Sequence, residues 1–182
     1  MYQQPSKTYQ AATTTVFWDI DDRPKPDDIQ FDDIPAHFRQ TLGNLMRLRG
    51  TISINAYGDA QRIMGGRKRP NGINFNQVRS GDKDGRLQKI LVDSLFWVID
   101  HPEPSNLVLI VGTISEDSDF VKALSSLRGK DCHVFSQKAE KQGVLLSPNA
   151  WTNVNVLGRD GYMANNFLVC GGVLIYHGFL DF

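Results

Sequence analysis

Cysteine is scarce in this chain. Only Cys132 and Cys170 occur among 182 residues, with no CxxC pair and no histidine cluster at zinc-ligand spacing, so neither a disulfide framework nor a structural zinc site is expected. A reducing compartment suits that usage. Net charge is missing too: 20 Lys and Arg balance 20 Asp and Glu, which excludes a polybasic arm or an acidic tail. The sequence also lacks a long apolar run. Its most apolar stretch, Phe167 to Phe182, is shorter than the roughly 20 residues a spanning helix needs, so no membrane span is expected and a final strand or a misfit tail is the reading. Absent as well are a GxSxG elbow, a glycine loop of the P-loop or dinucleotide type, and a cysteine beside a suggestively placed histidine. Covalent catalysis and nucleotide-loop chemistry therefore have no foothold.

What is present suffices for a packed domain. Hydrophobic residues make up 41% against 22% charged, which argues against intrinsic disorder. The opening residues, polar and without an apolar core, read as a flexible leader rather than a targeting signal. Thr13 to Ile20 is rich in β-branched and aromatic residues and predicts a buried strand ending at Asp19, where DDRPKPDD stops it. Helical spacing from Ile34 to Leu48, with Pro35 in the first turn and Gly50 as the stop, predicts a first helix. Two short strands follow, Thr51 to Tyr57 and Ile73 to Val78, separated by a polar, glycine-rich loop from Gly58 to Pro70. Leu87 to Ile99 carries one apolar stripe and predicts a second helix. Asn106 to Val111 is a continuous apolar run, as expected of a strand buried on both faces of a parallel sheet. Asp119 to Leu127 reads as a helix, and 132–135 and 154–157 as short strands.

Alternation of strands and helices predicts a three-layer α/β/α sandwich with a central, mainly parallel sheet and functional residues at the carboxyl ends of its strands. The first strand ends at Asp19, and the central one ends shortly before Asp117 and Asp119. Carboxylates from two distant segments are thereby expected at one sheet edge. Clustered carboxylates repel one another and raise each other's pKa, a cost that a divalent cation removes. Magnesium or manganese prefers such hard oxygen ligands, and one or two ions can activate water and stabilise the leaving oxygen of a phosphodiester. The other reading of Asp19 is a strand-end residue capping backbone N–H groups. Asp27, Asp28, Asp32 and Asp33 read as solvated loop charges.

Three separated runs carry a resemblance: VFWDIDDRPKP from Val16, KDGRLQKILVDSLFWVIDHPEPSNLVLI from Lys83, and EDSDFVKALSSLR from Glu116. In that order they resemble the NYN domain, a PIN-like ribonuclease fold, in its plant limkain-type branch, over about residues 13 to 157. The resemblance implies a domain at 13–158, with 1–12 as leader and 159–182 as an apolar tail outside the family pattern. The first motif places metal ligands at Asp19 and Asp22, where Asp22 stands for the usual asparagine. The second places carboxylates at the start of the helix and six residues later, matching Leu87 and Asp93; the first of these is lost here, and Asp84 is the candidate substitute. The third matches Asp117, Ser118, Asp119 and Phe120, offset by an insertion from Thr113 to Glu116.

The implied function is a metal-dependent RNA endonuclease in which Asp19, Asp93, Asp117 and Asp119 hold one or two Mg2+ or Mn2+ ions. Arg62, Arg67, Lys68 and Arg69 form a basic loop that is the best candidate for phosphate contact with single-stranded RNA, with an ordinary solvated loop as the alternative. A binding module that has lost turnover, and a protein-interaction domain, are the competing classes. The branch further implies RNA turnover, regulation of gene expression, and a cytoplasmic location with peroxisomal association, although no SKL-like address is present.

Overall fold

A computed structural model of the chain describes residues 7–25, 27–101, 105–111, 119–120, 123, 167–170 and 173–177. Its centre is β1 (Thr14–Asp19), whose residues are all buried. The strand period of two sends Val16 and Trp18 to one face and Phe17 and Asp19 to the other. On the first face α2 (Ile34–Met46) packs Ile34, Phe38 and Leu42 against Val16 and Trp18, with the Trp18 and Phe38 rings edge to face at 5.9 Å. On the opposite face lies α4 (Lys83–Asp100), whose buried stripe includes Ile90 and Ser94. Between these layers β1 pairs in parallel with β2 (Ile52–Gly58) on one side and β4 (Asn106–Val111) on the other, and β2 pairs in parallel with β3 (Asn74–Gln77). The expected α/β sandwich of PIN-like type is what the chain builds.

The strand order is β3-β2-β1-β4-β6-β5, where β5 is Phe167–Cys170 and β6 is Val173–His177. β6 runs parallel to β4 and β5 antiparallel to β6, so the apolar run near the end of the sequence supplies strands rather than a misfit tail. The chain leaves β1 toward β2 and later returns to its other side as β4. That reversal opens a crevice at the carboxyl ends of β1 and β4, the place where sheets of this kind present functional groups.

Several local expectations change. Lys7–Ala11 forms a short helix, α1, so this part of the leader is not a loose chain. It is tied down by Arg49, whose N–H donates to Gln10 O at 2.7 Å, and by Gly50, where any Cβ would strike the Ala12 carbonyl oxygen. Gly50 is therefore needed for close approach and does not stop the helix. The helix ends earlier, at Arg47, which takes the left-handed conformation (φ 55°) and turns Leu48 back into the core. The expected loop from Gly58 to Pro70 contains a five-residue helix, α3 (Ala60–Met64), too short to leave a periodic signature. Finally, α4 begins at Lys83 instead of Leu87, because Asp82 caps it by accepting from Gly85 N–H at 2.9 Å. The expected strands at 132–135 and 154–157 lie outside the described residues, whereas Asp119, Phe120 and Ala123 are helical as expected.

Candidate functional site

Asp19 ends β1 on the α4 face, and the chain then turns sharply: Arg23 N–H donates to Asp19 O at 2.9 Å, and Asp22 N–H donates to Asp19 Oδ1 at 3.1 Å. This turn gathers Asp19, Asp21 and Asp22 at the mouth of the crevice. Gly58 makes room for it, since a Cβ there would lie 2.8 Å from Ile20 Cγ2 and 2.9 Å from Asp21 Oδ1. Arg23 then spans the crevice, its Nε donating to Val111 O at the end of β4 (3.3 Å), while its own carbonyl accepts from Trp18 Nε1 at 2.6 Å.

The residue that organises the carboxylates is one that the acidic motif positions do not mark. Arg86 stands on the first turns of α4, four residues before Ile90 and eight before Ser94, and so on the same buried stripe. Its Nε donates to Asp19 Oδ1 at 2.8 Å, its Nη2 to Asp22 Oδ1 at 3.3 Å, and its Nη1 lies 3.4 Å from Asp21 Oδ2. The side chains of Arg86 and Asp19 are 3% and 0% exposed. Two further cations close the cluster from outside: Arg62 Nη2 is 2.9 Å from Asp21 Oδ1, and Lys83 Nζ is 2.8 Å from Asp22 Oδ2. Three carboxylates thus meet three cations. Asp19 Oδ2 is buried without a hydrogen-bond partner among the described residues. Burial raises the Asp19 pKa above its ordinary value, against the opposing pull of the Asp22 N–H and of Arg86.

The remaining expected ligands are placed as follows. Asp93 lies seven residues beyond Arg86 on α4, about two turns or roughly 10 Å along the axis. It accepts from Tyr57 Oη at 2.9 Å and pairs with Lys89 Nζ at 3.1 Å. Tyr57 is the register partner of Asp19 across β1 and β2, and its ring stacks on Phe17. Burial, reinforced by Asp93, pushes its phenol well above the usual range, so it serves as a neutral donor. Asp84 is exposed in the first turn of α4, and Leu87 is partly buried beside Arg86. Asp119 is exposed at the helical turn following β4, and Asp117 lies outside the described residues.

Of the basic residues, Arg62 sits on α3 and reaches the carboxylate edge through Asp21, whereas Arg67, Lys68 and Arg69 follow α3 in exposed positions. Arg67 Nε donates to Met64 O at 3.1 Å. Asp59 caps α3 through Arg62 N–H (3.1 Å) and accepts from Gln77 Nε2 (3.0 Å), and the Gln77 bond above all holds its carboxyl below the usual value.

The described carboxylates do not fit a divalent cation in this arrangement. A hard cation needs several convergent, unshared oxygens, yet every carboxylate oxygen of Asp19, Asp21 and Asp22 except Asp19 Oδ2 already faces a guanidinium or an ammonium. Among the described residues no group of three His, Cys, Asp or Glu side chains is arranged to hold a metal. A sequence signal for Arg86 did exist. An arginine on the upstream extension of a buried helical stripe needs carboxylate partners, although the sequence does not say which carboxylates supply them.

No helix among the described residues is long and apolar enough to cross a membrane. The family model of the NYN domain matches residues 13–147. No curated protein and no solved structure matches the chain.

Proposed function

The chain belongs to the NYN domain family, whose nuclease-type, PIN-like domains act on nucleic acid, and from that premise we propose that it binds single-stranded RNA without hydrolysing it. The observation that carries this reading is the Arg86 guanidinium buried among Asp19, Asp21 and Asp22, next to a leucine where the family pattern has a carboxylate. Arg62, which reaches that edge through Asp21, and the exposed Arg67, Lys68 and Arg69 that follow α3 are the proposed phosphate contacts, since basic groups of this kind follow a phosphate backbone irrespective of base sequence. The proposed role is in RNA turnover and regulation of gene expression, by protecting or presenting transcripts. Membership of the limkain-type branch, and a cytoplasmic location with peroxisomal association, belong to the same proposal and rest on the motif resemblance; imaging of the tagged chain beside a peroxisomal marker tests them.

A second reading is the Mg2+- or Mn2+-dependent endoribonuclease. It is favoured by Asp19 Oδ2, a buried acceptor at the end of β1 that has no hydrogen-bond partner among the described residues. One experiment separates the two: labelled single-stranded RNA is incubated with the protein in Mn2+, in Mg2+ and in EDTA, with Asp19→Asn in parallel. Retarded, uncut RNA in all three supports the binding module. Manganese-dependent cutting that EDTA and Asp19→Asn both abolish establishes the nuclease.

A further inference from the structure

The carboxylate edge raises a question that RNA binding does not answer, namely what holds three acids together at the end of a buried strand. We infer that Arg86 is the resident cation of this edge: its guanidinium takes the place among Asp19, Asp21 and Asp22 that a divalent ion would take, and the edge is complete without metal.

Four features support this. The guanidinium fork presents donors in three directions in one plane, and each of its three nitrogens faces a different carboxylate, at 2.8, 3.4 and 3.3 Å. Arg86 is fixed by the fold, because the Asp82 cap extends α4 far enough upstream to put it on the Ile90 and Ser94 stripe. Its charge is not redundant with its neighbours. Arg62 and Lys83 each reach a single carboxylate from positions 58% and 44% exposed, and neither pairs with Asp19. Finally, a divalent ion drawn to the same oxygens would sit within a few ångströms of an obligate positive charge, which arginine cannot shed by deprotonation. Ion and guanidinium therefore exclude one another. The inference concerns the edge itself and stands whether or not RNA is bound there.

The consequence is a metal site that exists only when Arg86 is removed. Arg86→Met keeps the apolar stem of the side chain without its charged head, leaving Asp19 with no cation and Asp21 and Asp22 with one exposed partner each, Arg62 and Lys83, so that oxygens of all three carboxylates are freed for a hard cation. Arg86→Lys keeps a charge but loses the fork. The test is thermal unfolding of the full chain and both variants, each in EDTA and in excess Mn2+. The wild-type midpoint is expected to be the same in both buffers. Arg86→Met is expected to fall by about 10 °C in EDTA and to recover a substantial part of that in Mn2+, while Arg86→Lys falls less and ignores the metal. A wild-type midpoint that Mn2+ raises as far as it raises Arg86→Met overturns the inference, and so does an Arg86→Met variant as stable as wild type in EDTA. Should Arg86→Met not fold in either buffer, wild type and Arg86→Lys decide: indifference of both to Mn2+ upholds the resident cation, and a rise in either removes it. None of these readouts depends on RNA, so failure of the RNA-binding reading leaves them interpretable.

Discussion

Arg86 Nε and Asp19 Oδ1 lie 2.8 Å apart across the interface between α4 and the end of β1, with both side chains withdrawn from water. A pair this deep is not a surface ornament. Removing one partner strands the other in a medium that solvates it poorly, whereas removing both relieves much of that cost. Asp19→Ala is therefore expected to destabilise the fold by about 3 kcal/mol, at the lower end of the range for broken buried pairs because Asp21 and Asp22 still face the guanidinium. The double variant Asp19→Ala/Arg86→Met is expected to cost less than the sum of the single variants. A denaturant double-mutant cycle measures the difference, and strict additivity would show that the two residues do not interact.

The pH dependence has a definite sign. Burial raises the Asp19 pKa in the folded protein, so the folded state holds its proton more tightly than the unfolded chain does. The associated stability is fully present below the unfolded value of 3.8 and is lost as pH rises through the folded pKa. Asp19→Asn removes this titration. The stability of wild type minus that of Asp19→Asn is thus expected to decline from acid toward neutral pH, as read by urea denaturation across that range. A difference that grows toward neutrality would mean the Arg86 pairing outweighs burial.

Position 58 links β2 to the acidic turn. Gly58→Ala places a methyl group 2.8 Å from Ile20 Cγ2 and 2.9 Å from Asp21 Oδ1, closer than carbon tolerates. Overpacking of this kind typically costs about 1–3 kcal/mol, and relief requires Asp21 to leave its pairing with Arg62. Denaturation of Gly58→Ala should show that destabilisation. If adding Arg62→Ala to Gly58→Ala brings the same further destabilisation that Arg62→Ala causes alone, the Asp21 pairing was not disturbed.

Asp82 determines where α4 begins, and thereby where Arg86 lies. Asp82→Ala is expected to cost about 1 kcal/mol as a lost N-cap, with Asp82→Asn largely restoring stability because it still offers an acceptor to Gly85 N–H. Backbone amide exchange across Lys83 to Arg86 reports the fraying directly.

The RNA reading makes a salt prediction. For a single strand, removing one basic group that neutralises a phosphate reduces the log–log salt dependence of binding by about 0.7. Arg67→Ala and Lys68→Ala, both exposed after α3, are expected to weaken binding similarly for all RNA sequences and to flatten that slope, as measured by fluorescence anisotropy. Unchanged affinity and slope would take the loop out of the interface.

The alternation of buried strands and amphipathic helices was written in the sequence, because periods of 2 and 3.6 are local properties of the chain. Val16 and Trp18 against Phe38 and Leu42, the doubly buried run Asn106 to Val111, and the placement of Asp19 at a strand end all follow from side-chain order alone. The family motifs were legible in the same way, being contiguous. Short elements were not: α1 and α3 are five residues each and complete too little of a period to register, and Gly50 looked like a helix stop when its role is to let Ala12 approach. Tertiary structure alone decided which charges meet. Arg86 is 67 residues from Asp19, and nothing local to either residue states that β1 and the start of α4 converge. Once the parallel sheet brings them together, burial sets the strength of their attraction. The sequence determined that carboxylates gather at the end of β1, while the fold determined that a guanidinium answers them.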